Sequence, residues 1–167
     1  KLPDGVEVGL TKSDGSDRMT LTAGKARFEL STLPREDYPA LDGVDLPISF
    51  EMPAEELKTL IERTRFAIST EETRYYLNGI YLHAMGEGAS AVLRAVATDG
   101  HRLARFETVL PTGAADMPGV IIPRKTVGEL VKLLDDSDES VRIARSDSRI
   151  EFRFSDVTLS SKLIDGT

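Results

Sequence analysis

The stretch Ile48-Ser49-Phe50-Glu51-Met52-Pro53-Ala54-Glu55-Glu56-Leu57-Lys58-Thr59-Leu60-Ile61 changes its hydrophobic period at the proline. Ile48, Phe50 and Met52 alternate with polar residues, the period of a strand with one buried face. Pro53 suits the first position of a helix, where its missing N–H costs nothing. Glu55 and Glu56 follow in the first turn, where the helix dipole favours anions. Leu57, Leu60, Ile61, Thr64 and Ile68 continue at helical spacing. Strands are predicted next at residues 78–84, 92–97 and 103–109, separated by Gly86-Glu87-Gly88 and Asp99-Gly100. The order then recurs. Val120-Ile121-Ile122 reads as a short strand and Pro123 opens a second helix with Val127, Leu130, Val131 and Leu134 on its apolar face. Strands at 141–145, 149–154 and 157–163 complete the copy. Residues 46–167 therefore read as a strand–helix–three-strand unit used twice, an α+β domain with its helices on one face of antiparallel sheets.

The residues before this domain carry no helix pattern. Val6, Val8 and Leu10, then Met19, Leu21 and Ala23, then Ala26, Phe28 and Leu30 alternate as three strands. Such a sheet buries too little to fold by itself. The Pro-rich, acidic stretch from Leu33 to Pro47 separates it from the rest, with the linker set at residues 34–45. Val8-Gly9-Leu10-Thr11-Lys12-Ser13-Asp14 resembles Val141-Arg142-Ile143-Ala144-Arg145-Ser146-Asp147, Arg18-Met19-Thr20-Leu21 matches Arg149-Ile150-Glu151-Phe152, and Phe28 falls opposite Leu159. Residues 1–33 thus read as the tail of one domain, 34–45 as a linker, and 46–167 as a second domain of the same kind. The start at Lys1 rather than Met fits a piece of a tandem-domain protein.

Composition narrows the chemistry. The 167 residues hold 21 Lys and Arg against 28 Asp and Glu, a formal charge of −7, with 40% apolar residues and no cysteine. A disulfide framework, a cysteine zinc site and a thiol nucleophile are excluded. His83 and His101 alone offer little for a transition metal. No stretch approaches the ~20 apolar residues of a membrane span. The acidic balance argues against coating by nucleic acid through bulk charge but leaves local basic patches open. The composition reads as that of a soluble intracellular chain.

Three clusters invite a functional reading. Arg124 and Lys125 occupy a first helical turn, where the dipole disfavours cations, and Lys125, Gly128 and Lys132 share one stripe. That stripe is either a solvated face or a surface for phosphates. Arg74-Tyr75-Tyr76-Leu77 precedes Asn78-Gly79. Adjacent tyrosines entering a strand point to opposite faces, one towards the core and one exposed, and either ring reads as core or edge packing or as a stacking platform for bases. Thr98-Asp99-Gly100-His101-Arg102-Leu103 is a turn first, and an acid–base couple of Asp99 with His101 second. No nucleophile elbow or phosphate loop accompanies it, which counts against catalysis.

Arg74 to Gly79, Ala97-Thr98-Asp99-Gly100-His101-Arg102-Leu103-Ala104, Ile122-Pro123-Arg124-Lys125 and Ser161-Lys162-Leu163-Ile164-Asp165-Gly166 together resemble the bacterial replicative sliding clamp, the β subunit of DNA polymerase III. Ser31-Thr32-Leu33-Pro34 fits the end of that family's first domain. The resemblance implies a non-catalytic, cytoplasmic processivity factor, with no metal or other cofactor. Its ring of two subunits, each of three similar domains, encircles duplex DNA. It implies that Arg124, Lys125 and Lys132 face the pore and that Tyr75 and Tyr76 can touch emerging template. Arg74, Leu77, Thr98, Gly100, His101, Arg102 and Leu103 match the second domain's share of a pocket. Linear motifs of the polymerase III catalytic subunit, the clamp loader, repair polymerases and mismatch-repair proteins dock there. Leu77 and Leu103 would form its floor, with Thr98 and Arg102 on the rim. His101 reads equally as a titrating group or a packed turn residue. Phe28 and Leu30 match a strand at the subunit interface, whose partner surface lies in the third domain. By itself the chain is expected to be a monomer with weak peptide affinity. A free-standing peptide-binding scaffold of the same fold is the alternative.

Overall fold

A computed structural model describes residues 4–38, 45–115, 117–134 and 139–166; residues 39–44 of the linker lie outside these. The chain divides into two compact units, Lys1–Gly43 and Val44–Thr167.

In the first unit β1 (Val8–Lys12), β2 (Arg18–Ala23) and β3 (Ala26–Ser31) form an antiparallel sheet in that order. The register aligns Leu10, Leu21 and Phe28 in one row across the strands, so the alternating apolar residues share a face. The other face carries Arg18, whose Nη1 lies 3.2 Å from the Glu29 carboxylate. Leu10 and Phe28 stay 61% and 48% exposed.

The second unit contains β4 (Ile48–Pro53), α1 (Ala54–Glu62), β5 (Gly79–Met85), β6 (Val92–Thr98) and β7 (Leu103–Val109). The same order recurs as β8 (Val120–Pro123), α2 (Arg124–Leu134), β9 (Ser140–Arg145), β10 (Arg149–Phe154) and β11 (Val157–Lys162). Each half gives its first strand to the other half's sheet. One sheet runs β11-β10-β9-β4 and the other β7-β6-β5-β8. Both helices pack against these sheets and each other, and one core of buried residues, Leu57, Leu60, Ile80, Leu93, Leu130 and Phe152 among them, spans both halves. The internal match seen in the sequence holds at the level of register: Ile143, Phe152 and Leu159 form the row that corresponds to Leu10, Leu21 and Phe28.

Two local expectations are corrected. Pro53 and Pro123 each close a strand, opposite Ser140 and Gly79, and the helices begin one residue later. Proline is tolerated there because β4 is an edge strand and β8 ends its sheet. The first helix stops at Glu62 rather than continuing to Ile68. Thr64, fully buried, turns its hydroxyl back to donate to the Leu60 carbonyl at 2.8 Å, and a short 310 turn, Arg65–Ala67, follows. Thr64 and Ile68 are buried as the helical spacing required, by a different backbone path.

Candidate functional site

A cleft of about 360 Å³ opens on the second unit, lined by Tyr76, Leu77, Gly79, Tyr81, Val96, Ala97, Thr98, Ile121 and Gly166. Strand alternation makes it. Ile80 and Leu82 of β5 point into the core, so Tyr81 points outward, between Val96 of β6 and Ile121 of β8. The segment after β11 bounds the cleft where the Ile164 N–H donates to the Ile121 carbonyl at 3.0 Å. Three glycines permit close packing here. A Cβ on Gly79 would meet the Ile122 carbonyl oxygen at 2.3 Å, one on Gly119 the Tyr81 hydroxyl at 2.1 Å, and one on Gly166 the Ile121 side chain at 2.6 Å.

The turn between β6 and β7 is held by a set of short hydrogen bonds. Both the His101 and Arg102 backbone N–H groups donate to Asp99 Oδ1 at 3.0 Å, and Arg102 Nε donates to Asp99 Oδ2 at 3.0 Å. Thr98 Oγ1 donates to the Arg102 carbonyl at 2.8 Å and accepts from the Gly100 N–H at 3.1 Å. Gly100 has φ +88°, and a Cβ there would lie 2.7 Å from Arg74 Nη1. Arg74 is itself clamped by the Glu71 carboxylate at 2.8 and 2.9 Å, which lowers the Glu71 pKa and raises that of Arg74. Asp99 is spent on this turn. Its carboxylate bonds to the backbone N–H of His101 and not to the imidazole, so the acid–base couple is not formed.

The backbone donors, joined by the Arg102 side chain, pull the Asp99 pKa down from 3.8 to about 2. A carboxyl with a depressed folded pKa contributes stability above its ordinary value and loses it as pH falls through the folded one. The turn is therefore expected to stay intact down to about pH 4 and to loosen towards pH 2. Amide resonances of His101 and Arg102 followed against pH should show a midpoint near 2; a midpoint near 3.8 would contradict the bonding described.

Of the sequence-identified pocket residues, Leu77 and Thr98 line the cleft, while Arg74 and Gly100 brace its adjoining turn. His101 and Arg102 are exposed on that turn, Arg102 with its guanidinium carbon 5.7 Å from the Phe66 ring centroid. Leu103 does not line this cleft and is 63% exposed, so the apolar floor is Leu77 with Val96 and Ile121. Tyr81, Val96, Ile121 and Gly166 were missed. Their signal was outward-pointing apolar residues on strands, legible only once the strand pairing is known. Tyr75 and Tyr76 enter no strand. They lie in a 310 stretch, Glu72–Leu77, interrupted at Arg74, and Asn78 closes it with its backbone N–H on the Tyr75 carbonyl. Alternation therefore does not apply: both rings are exposed, packed edge to face at 5.8 Å.

The helices lie on the core side of the β5–β8 sheet, and the cleft lies on the other. On α2, Arg124 and Lys125 are exposed and have no acidic partner among the described residues, while Lys132 pairs with Glu129 at 3.0 Å. Thr126 Oγ1 and Ser161 Oγ, 2.6 Å apart, tie this first turn to β11. A Cβ on Gly128 would meet nothing within 4 Å, so no packing demands the glycine and it simply keeps the stripe low. The neighbouring α1 exposes Glu55, Glu56 and Glu62, with Arg63 and Arg65 exposed just after it. In the first unit, Phe28 and Leu30 of β3 are both exposed. Among the described residues no group of three or more His, Asp or Glu is placed to hold a metal, and no helix is long and apolar enough to cross a membrane.

Residues 51–167 match the family model for the DNA polymerase III beta subunit, central domain. The chain belongs to that family. It is 48% identical over 166 residues to the beta sliding clamp of Caulobacter vibrioides, covering 99% of this chain and 45% of the relative, and 40% identical over 167 residues to that of Escherichia coli K12. The crystal structure of the sliding clamp from Bartonella birtlesii bound to griselimycin superposes with a TM-score of 0.86 at 48% identity, over 100% of this chain and 44% of that one. The Pseudomonas aeruginosa clamp gives 0.76 at 37% identity, over 99% of this chain and 43% of that one. The chain thus spans under half the length of these clamps. The α+β architecture with duplicated halves is that of the sliding-clamp fold.

Proposed function

We propose that the chain serves in a DNA sliding clamp, with residues 1–33 ending a first clamp domain, 34–45 linking, and 46–167 forming the central domain. In this reading two subunits close a ring around duplex DNA, held in part through Phe28 and Leu30. The α2 face carrying Arg124, Lys125 and Lys132 meets the phosphates, and Tyr75 and Tyr76 touch template at the rim. The cleft around Leu77 and Thr98, with Arg74, Gly100, His101, Arg102 and Leu103 at its margin, docks linear motifs. Its partners would be the polymerase III catalytic subunit, the clamp loader, repair polymerases and mismatch-repair proteins. The protein works without catalysis in the cytoplasm, raising effective concentration by tethering.

The observation that carries this reading is the separation of the two surfaces. A cationic helix face, on which Arg124 and Lys125 have no acidic partner among the described residues, and an apolar cleft lie on opposite sides of one sheet, as a tether must hold DNA and partner at once. The Bartonella clamp's binding of griselimycin supports a ligand-accepting surface in the family. Amide-resonance mapping during titration with a short Gln- and Leu-rich peptide tests the cleft. Shifts clustered at Leu77, Val96, Thr98 and Gly166 are expected, weakly saturating. Shifts clustered on α2, or none at millimolar peptide, would overturn the docking role.

A further inference from the structure

We infer that Tyr81, braced by His83, is the residue that sets the size of apolar side chain the cleft accepts. The inference rests on the reading of that cleft as a peptide dock and adds the determinant of its selectivity. Tyr81 stands at the centre of a cross-strand row, Ile121–Tyr81–Val96, all three of whose members line the cleft. Its side chain, 42% exposed, is bounded on two sides. On one side the phenol lies against Gly119 so closely that an added Cβ would fall 2.1 Å from Oη and 2.4 Å from Cζ. On another, the His83 imidazole stacks on it with centroids 4.6 Å apart and planes 25° from parallel.

His83 borders a charged stretch of the same sheet face. It faces Arg94 across the strand pair, and Arg94 Nε donates to Glu107 Oε1 at 2.6 Å, with Arg105 Nε 3.6 Å from the same oxygen. His83 Nδ1 is buried and has no hydrogen-bond partner. The imidazole's place there is thus accounted for by its stack on Tyr81 and not by a bond at that nitrogen. The sheet face changes character at this point: apolar on the cleft side of Tyr81, charged beyond His83. An aromatic wall at that boundary gives the cleft an end on this side. A ring bounded on these two sides is the wall against which a ligand's side chain must fit, the way rigid walls produce selectivity. In this account Tyr81 contacts the ligand and His83 is a positioning residue.

The test uses the whole chain and two peptides, the Gln- and Leu-rich probe and the same peptide with one Leu replaced by Trp. Affinities are read from the resonance titration at Leu77 and Thr98. In the unaltered chain the Leu peptide is expected to bind at least fivefold tighter. Tyr81→Ala should weaken the Leu peptide about tenfold and the Trp peptide much less, erasing the preference. Tyr81→Leu, which keeps an apolar residue on the strand, serves if the alanine variant does not fold and should shift the ratio the same way. His83→Ala should reduce the preference about threefold and His83→Phe, which keeps a stacked ring, should restore it. A Leu-to-Trp ratio unchanged in both Tyr81 variants, with shifts still clustered at Leu77 and Thr98, overturns the inference and leaves the dock standing. An absence of shifts at those residues in the unaltered chain overturns both.

Discussion

Replacing Gly79 by alanine is expected to destabilise the second unit by about 3 kcal/mol and to abolish peptide binding at the cleft. The added Cβ would meet the Ile122 carbonyl oxygen at 2.3 Å and the Ile121 side chain at 2.8 Å. The first contact is with backbone, so no rotamer change relieves it, and β8 must move off β5. That movement breaks the register Gly79↔Pro123 and Ile80↔Ile122, which joins the two halves of the duplication. It also displaces Ile121, an outward wall of the cleft. For a unit of this size the melting temperature should drop about 10 °C. Thermal unfolding of the Gly79→Ala chain checks the first part, and loss of peptide-induced shifts at Leu77 checks the second. An unchanged melting temperature would mean that the close approach of β5 and β8 is not what holds the halves together.

The second large effect is electrostatic. Reversing charge at the start of α2, with Arg124→Glu and Lys125→Glu together, is expected to weaken binding to a short duplex on the order of 100-fold at low salt. Neither residue has an acidic partner among the described residues, so both are free to release counterions from phosphates. Each contact removed should lower the slope of log K against log salt by about 0.9, so the pair should lower it by about 1.8. Fold stability should hardly change, because acidic residues in a first helical turn are favoured by the dipole. Duplex affinity measured across a salt series separates the outcomes. A slope unchanged in the double variant would place the DNA elsewhere.

The parts of the fold written in local periodicity were legible before the structure. The switch from alternation to helical spacing at Pro53 and again at Pro123 marks both halves, and the match of Val8–Asp14 with Val141–Asp147 reappears as equivalent rows across two sheets. What local pattern cannot encode is which strands pair. The exchange of β4 and β8 between the halves is a nonlocal contact, and with it goes the cleft, whose walls come from β5, β6, β8 and the segment after β11. Leu77 and Thr98 were reachable through the family resemblance; Tyr81, Val96 and Ile121 become a surface only when three strands are laid side by side. The two other departures are changes of backbone path at single residues. Thr64 ends a helix that its spacing continues, and Asn78 closes a 310 turn that holds Tyr75 and Tyr76 out of the strand they adjoin.

The role proposed for these residues is that of a topological tether for DNA. The most direct measurement is retention on DNA of the ring assembled from subunits carrying this chain, loaded onto a nicked circle and then challenged by cutting the circle. Long retention on the closed circle in high salt and rapid loss once a free end exists are expected, because contacts through Arg124, Lys125 and Lys132 are too few to grip. Equal retention on circular and linear DNA, or none on either, would contradict it.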